Sequence, residues 1–116
     1  PLMSIRLIDK KCVAYESGAP QLSPAEIKEF RKELTRDWEI FDSNRMRYEF
    51  TFPDFKAAMH FVDKVARLAE SEGHHPDIHI RYSRVMIELS THTIGGLSEN
   101  DFILAAKIEN LPSVQS

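Results

Sequence analysis

Arg45-Met46-Arg47-Tyr48-Glu49-Phe50-Thr51-Phe52 alternates polar and apolar side chains without a break, and Pro53-Asp54 stops it. A period of two puts Met46, Tyr48, Phe50 and Phe52 on one face and Arg45, Arg47, Glu49 and Thr51 on the other, as a half-buried strand requires. Beyond Pro53-Asp54 the period changes. Phe55, Ala58, Met59, Val62, Val65, Ala66 and Ala69 recur with helical spacing, and Gly73 stands where a left-handed helix cap is wanted. A strand with one apolar face running into a one-faced helix is half of a two-layer α+β sandwich.

The flanking sequence repeats the theme. Upstream, Trp38 and Ile40 read as a strand, and Asp42-Ser43-Asn44 supplies the turn that makes a hairpin with residues 45–52. Before it, Ser23-Pro24-Ala25-Glu26 has the residues of a capping box with proline in the first turn. Ile27, Phe30 and Leu34 continue one apolar face, predicting a helix to about Thr35. Downstream, Ile78, Ile80 and Tyr82, then Val85, Ile87 and Leu89, predict a second hairpin turning near Ser83-Arg84. Ser98-Glu99-Asn100-Asp101 caps a third helix whose buried stripe is Leu104, Ala105, Ile108 and Leu111, with Pro112 ending it. Residues 1–22 read as an arm lying on this single domain. The order is helix, two strands, helix, two strands, helix, and the bare sheet face and edges invite cover by another subunit.

The 116 residues are 42% hydrophobic and 28% charged, enough apolar material for one folded domain and too much for disorder. No apolar run approaches the roughly 20 residues of a membrane span. The net charge of −3, from 15 Lys+Arg against 18 Asp+Glu, gives no nucleic-acid footprint and no polybasic membrane patch. Cys12 has no cysteine to pair with, and Pro1-Leu2-Met3 opens no secretory signal, which predicts a reducing, cytoplasmic setting.

Five histidines stand at 60, 74, 75, 79 and 92. His60 lies off the apolar stripe of its helix and reads as a solvated side chain. His79 falls on the polar face of a strand and reads as a surface or subunit-contact residue. His74-His75-Pro76 differs, because it follows Gly73 at a helix exit, where the macrodipole favours a protonated imidazole. Glu70 lies four residues before His74, so a further helical turn puts its carboxylate beside that ring. The plain alternative is a polar pair capping a helix, and both readings stand at this point. Ser90-Thr91-His92-Thr93 ends a strand just before Gly95-Gly96, a setting in which backbone amides stay accessible to ligands. Asp101 sits in the first turn of the third helix, where a capping role and a site role are compatible. No metal is expected: on a strand, positions 75 and 79 stand about 13 Å apart, too far for one ion. Dinucleotide, P-loop, nucleophile-elbow and zinc-protease motifs are all missing.

Glu70-Ser71-Glu72-Gly73-His74-His75-Pro76-Asp77, then Tyr82, then Thr91-His92-Thr93-Ile94-Gly95-Gly96-Leu97-Ser98-Glu99-Asn100-Asp101-Phe102 resembles the signature of the pterin-4a-carbinolamine dehydratases. Gly18-Ala19-Pro20, Trp38 and Phe50-Thr51-Phe52 extend the likeness to the bacterial and archaeal-type members over nearly the whole chain. The resemblance implies a four-stranded antiparallel sheet with the three helices on one face. It implies a lyase that removes water from 4a-hydroxytetrahydropterin, giving the quinonoid dihydropterin and recycling the pterin of aromatic amino acid hydroxylases. It also implies a homodimer or homotetramer, and some animal relatives serve as a dimerisation cofactor for a transcription factor. Position by position, the family's active-site histidines match His74, His75 and His92. Its supporting acids match Glu70 and Asp101, and its pterin contacts match Gly73 to Pro76 and Ser90 to Thr93. Thr93 stands where many relatives carry an acidic residue.

The chemistry suits these residue types. Loss of the C4a hydroxyl wants an acid for the leaving oxygen and a base for the N5 proton, and imidazole serves as either near neutral pH. The resemblance assigns His75 or His74 as acid and His92 as base or orienter, with Glu70 tuning His74. Asp101 would hold the helix turn and assist. No cofactor is needed, because the nitrogen lone pair expels the hydroxyl. Two other readings remain open: an interaction module without catalysis, and an enzyme acting on a molybdopterin-related pterin.

Overall fold

Strands β1 (Glu39–Phe41), β2 (Arg45–Thr51), β3 (Asp77–Arg81) and β4 (Arg84–Leu89) form one antiparallel sheet in the order β1-β2-β4-β3. The computed structural model describes residues 6–42 and 44–114, so Ser43 of the expected turn and Pro1-Leu2-Met3 lie outside the described residues. The register pairs Met46 with Leu89, Tyr48 with Ile87 and Phe50 with Val85, bringing the apolar residues of both strands onto one face. Helices α1 (Pro24–Arg31), α2 (Phe55–Glu72) and α3 (Glu99–Glu109) cover that face. The opposite face carries ion pairs across the strands, Arg47 with Glu39, Arg45 with the more sheltered Glu88 and Arg84 with Glu49; the arginines are all well exposed to water, and such pairs are each worth about 0–1 kcal/mol.

Trp38 anchors the core. Fully buried just before β1, its ring lies 6.0 Å from that of Phe50, which lies 4.9 Å from that of Phe61 on α2. A side chain of this size contributes about 1.5–3 kcal/mol on burial.

The caps fall where the sequence places them. Ser23 and Ser98 each form a capping box, Asp54 accepts the Ala57 amide, and Gly73 closes α2 at φ +70°. Three boundaries differ from expectation. α1 ends at Arg31 instead of near Thr35, because the Thr35 and Arg36 amides donate to the carboxylate of Glu109 instead of to helix carbonyls. The second hairpin turns at Tyr82-Ser83, with Tyr82 at φ +55° and its ring stacked on Phe55. α3 stops at Glu109, before Leu111 and Pro112, and is buried from Asn100 to Ala106 and again at Ile108 and Glu109. It runs through the middle of the helical layer, with α1, α2 and the short 3-10 helix Leu7–Asp9 packed around it.

Residues of the N-terminal arm reach this layer. Leu7 is buried, and its amide donates to Glu33 Oε1 at 2.9 Å. The Cys12 amide donates to Glu72 Oε1 at 2.8 Å, while Lys107 Nζ donates to Glu72 Oε2 at 2.5 Å. Burial by itself would raise the Glu72 carboxyl, but the Cys12 amide and the Lys107 ammonium outweigh it and hold the group below its ordinary value. Burial, with the Glu72 carboxylate alongside, pushes the Cys12 thiol from an ordinary 9.0 up to about 12. Above pH 9 the unfolded chain therefore releases a proton that the folded chain keeps, so this group subtracts stability as pH rises past 9. At pH 8 a thiol reagent such as DTNB is expected to leave native Cys12 untouched while reacting completely in denaturant; rapid labelling of folded protein would contradict the burial.

Candidate active site

Gly73 decides where the two adjacent histidines go. Its left-handed conformation, costless for glycine, lets both its own amide and that of His74 reach the Ala69 carbonyl, at 2.9 and 3.3 Å. The chain leaves the helix there, and Pro76 biases His75 toward extended backbone. The His74 side chain turns inward, 11% exposed, with Nε2 2.6 Å from Asp101 Oδ1. That of His75 stays 60% exposed, with Nε2 2.5 Å from Glu70 Oε2. The expected pairing of Glu70 with His74 is thus replaced by Glu70 with His75. α2 ends before the turn that would have stacked residue 74 over residue 70, and the reversal at Gly73 swings the next ring round instead.

Asp101 carries the more consequential bond. Its carboxylate is fully buried at the third position of α3, where the helix dipole favours negative charge. Oδ2 accepts from the Ser98 amide at 2.9 Å and from Thr91 Oγ1 at 2.8 Å, leaving Oδ1 for His74. A carboxylate only accepts, so His74 Nε2 carries the proton, and in the neutral ring Nδ1 is then the acceptor. The capping residue and the partner of His74 are one side chain.

His92 comes from the neighbouring strand at the same end of the sheet, where Asp77 pairs with Glu88. After β4, Thr91 bridges to Gly96, its amide donating to the Gly96 carbonyl at 2.8 Å. The short 3-10 helix His92–Ile94 bulges between them and is closed by Gly95 at φ +68°. His92 and Thr93 are held exposed at this tip.

One cleft of about 460 Å³ joins these elements. Gly73, His74, His75, Pro76, Ser90, Thr91, His92 and Thr93 all line it; Glu70 and Asp101 do not, and touch it through the rings they hold. Its size suits a small organic molecule. A wider groove of about 680 Å³ runs between α1 and β1, lined by Leu22, Ile27 and Ile40, but it carries no imidazole or carboxylate and offers a reacting group neither acid nor base of that kind. His60 and His79 are exposed outside the cleft, with His79 Nε2 3.9 Å from Glu88 Oε1. Among the described residues no set of three or more His, Cys, Asp or Glu side chains converges as metal ligands.

Sequence reasoning missed one wall. Val13, Ala14 and Tyr15 of the arm line the cleft together with the histidine loops, as does Asn100. Nothing in the periodicity of residues 1–22 signals this, since the contact is made by backbone groups that any residue type supplies.

A one-sided α+β domain thus gathers three imidazoles around one cleft, two of them held by carboxylates. The chain belongs to the Pterin 4 alpha carbinolamine dehydratase family, whose family model matches residues 20–111. A relative from Alkaliphilus metalliredigens that carries the dehydratase name by assignment is 41% identical over 92% of this chain and 96% of its own. One from Rickettsia bellii, named likewise, is 45% identical over 90% and 93%. Among solved structures, a transcriptional coactivator/pterin dehydratase from Brucella melitensis superimposes with a TM-score of 0.72 at 32% identity, over 78% of this chain and 96% of that one. A pterin dehydratase-like RuBisCO assembly factor of the alpha-carboxysome gives 0.56 at 26% identity, over 65% and 88%. No helix among the described residues is long and apolar enough to cross a membrane.

Proposed function

We propose that this chain dehydrates 4a-hydroxytetrahydropterin to the quinonoid dihydropterin, with imidazoles moving the protons. One observation carries the reading: His74, oriented by the buried Asp101 carboxylate, shares a cleft with His75 and His92. The step breaks the C4a–O bond. An imidazolium donates to the departing hydroxyl, which leaves as water, while the N5 lone pair forms the new C=N bond and the N5 proton passes to a neutral imidazole. Protons balance, and no electrons leave the substrate.

The arrangement favours a division of labour the reverse of that expected from the sequence, in which His75 or His74 is the acid and His92 the base or orienter. His74, fixed with Nε2 toward Asp101, has one nitrogen free to accept and acts as base. His92, whose ring has no hydrogen-bond partner among the described residues, is free to turn toward the leaving hydroxyl. His75, paired with an exposed Glu70, orients the ring. In this role the protein would recycle a tetrahydropterin cofactor.

Stopped-flow mixing with chemically generated 4a-hydroxytetrahydropterin tests the proposal. The protein should speed the loss of the 4a-hydroxy absorbance, and His74→Ala and His92→Ala should each lose about 10²-fold of that acceleration. Equal rates with and without protein would remove catalysis. The interaction-module reading, to which the carboxysomal assembly factor lends support, would then lead.

A further inference from the structure

We propose that the arm segment 13–15 is a substrate-gripping wall of the cleft, with Val13 its apolar contact and Asn100 the residue that positions it. The proposal rests on the cleft being the pterin site.

Val13 does not behave like the apolar residues that anchor the arm. Leu7 and Cys12 are buried and hold the arm to the core, whereas Val13 is 60% exposed and lines the cleft. An aliphatic side chain left this exposed at the cleft is poised to cover one face of a flat ring. No lysine or arginine lines the cleft, so apolar contact and hydrogen bonds must supply the grip on an uncharged bicycle.

The wall is fixed in place. The Asn100 side chain, on a residue 3% exposed, gives both its polar atoms to the Val13 backbone: Oδ1 accepts from the amide at 3.0 Å and Nδ2 donates to the carbonyl at 2.6 Å. Cys12 Sγ contacts the Asn100 carbonyl at 3.6 Å, and the Cys12 amide is held by Glu72. Asn100 directly precedes Asp101, so one helical turn places both the wall and the ring of His74. An arm serving only to staple the fold would need Leu7 and Cys12, and would gain nothing from a rigidly presented, exposed valine.

The test separates grip from turnover. Val13→Ala removes two methyl groups from a side chain that is exposed in the free protein, so thermal stability should hold. KM should rise about five-fold, the part-burial value for two methyl-sized groups, with kcat changed less than two-fold. Calorimetric titration with 7,8-dihydrobiopterin, an unreactive pterin, should show the same weakening. Asn100→Ala should raise KM at least as far, and Val13→Ala added to it should change KM little more, because a released arm has already withdrawn its side chain. If His74→Ala and His92→Ala slow dehydration but Val13→Ala keeps the parental KM and pterin affinity, the wall is overturned and the site stands. If the histidine variants leave the rate untouched, the site reading has failed and the wall falls with it.

Discussion

Asp101→Asn is expected to lower kcat by about 10²-fold while the protein stays folded. Its amide oxygen can take the place of Oδ2 and accept from the Ser98 amide and Thr91 Oγ1. The amide nitrogen then faces His74 Nε2 and donates, where the carboxylate accepted. Two donors cannot share the bond, so the imidazole moves its proton to Nδ1 and loses the acceptor assigned to the substrate's N5. Positioned proton transfer is worth about 10²–10⁴-fold, and inverting the tautomer forfeits the lower end of that range. The loss of a buried charge at a helix N-terminus costs up to about 2 kcal/mol of stability. Nitrogen-15 chemical shifts of His74 check the cause directly: the proton should sit on Nε2 in the parent and on Nδ1 in the variant. A variant with parental kcat would sink the assignment of His74 as base.

Glu109→Ala is expected to cost about 3–5 kcal/mol, a large share of the 5–15 kcal/mol by which small domains are stable. The carboxylate is 2% exposed and accepts from three donors, the Thr35 amide at 2.5 Å, the Arg36 amide at 3.1 Å and Trp38 Nε1 at 3.0 Å. Truncation strands all three near the core, at about 1–3 kcal/mol for each unsatisfied group that water cannot reach. Glu109→Gln, which keeps an acceptor, should lose less than half as much. Urea midpoints at unchanged slope measure both; a loss under 1 kcal/mol for the alanine variant would show that water reaches these donors.

These two carboxylates mark the boundary of what the chain's pattern discloses. Periodicity places Met46 to Phe52 on a strand and Phe55 to Ala69 on a helix, because a face buried along its whole length must repeat at the element's own period. Ser23, Asp54, Ser98 and Gly73 are legible for a different reason: caps act within three or four residues of themselves. Glu109 acts 71 residues from Trp38, and no local pattern predicts that it would halt α1 early. The all-round burial of α3 is hidden likewise, since an apolar stripe shows one packed face and is silent about neighbours arriving from elsewhere.

The cleft follows the same division. His74-His75-Pro76 and Thr91-His92-Thr93 stand out as polar interruptions beside glycines and a proline, and the family signature ties them together. Which carboxylate meets which ring is settled only when Gly73 reverses the chain and α3 lies alongside. Val13 is invisible beforehand because a side-chain amide 87 residues away fixes it through its backbone.

The first turn of α3 therefore bears two loads at once. On the proposed roles, residue 100 sets how firmly a guest is clasped, and residue 101 sets which nitrogen of a neighbouring ring is basic. A small rotation of that turn would shift both together, so affinity and speed would then be geared to a single shaft and could not be retuned one at a time from there.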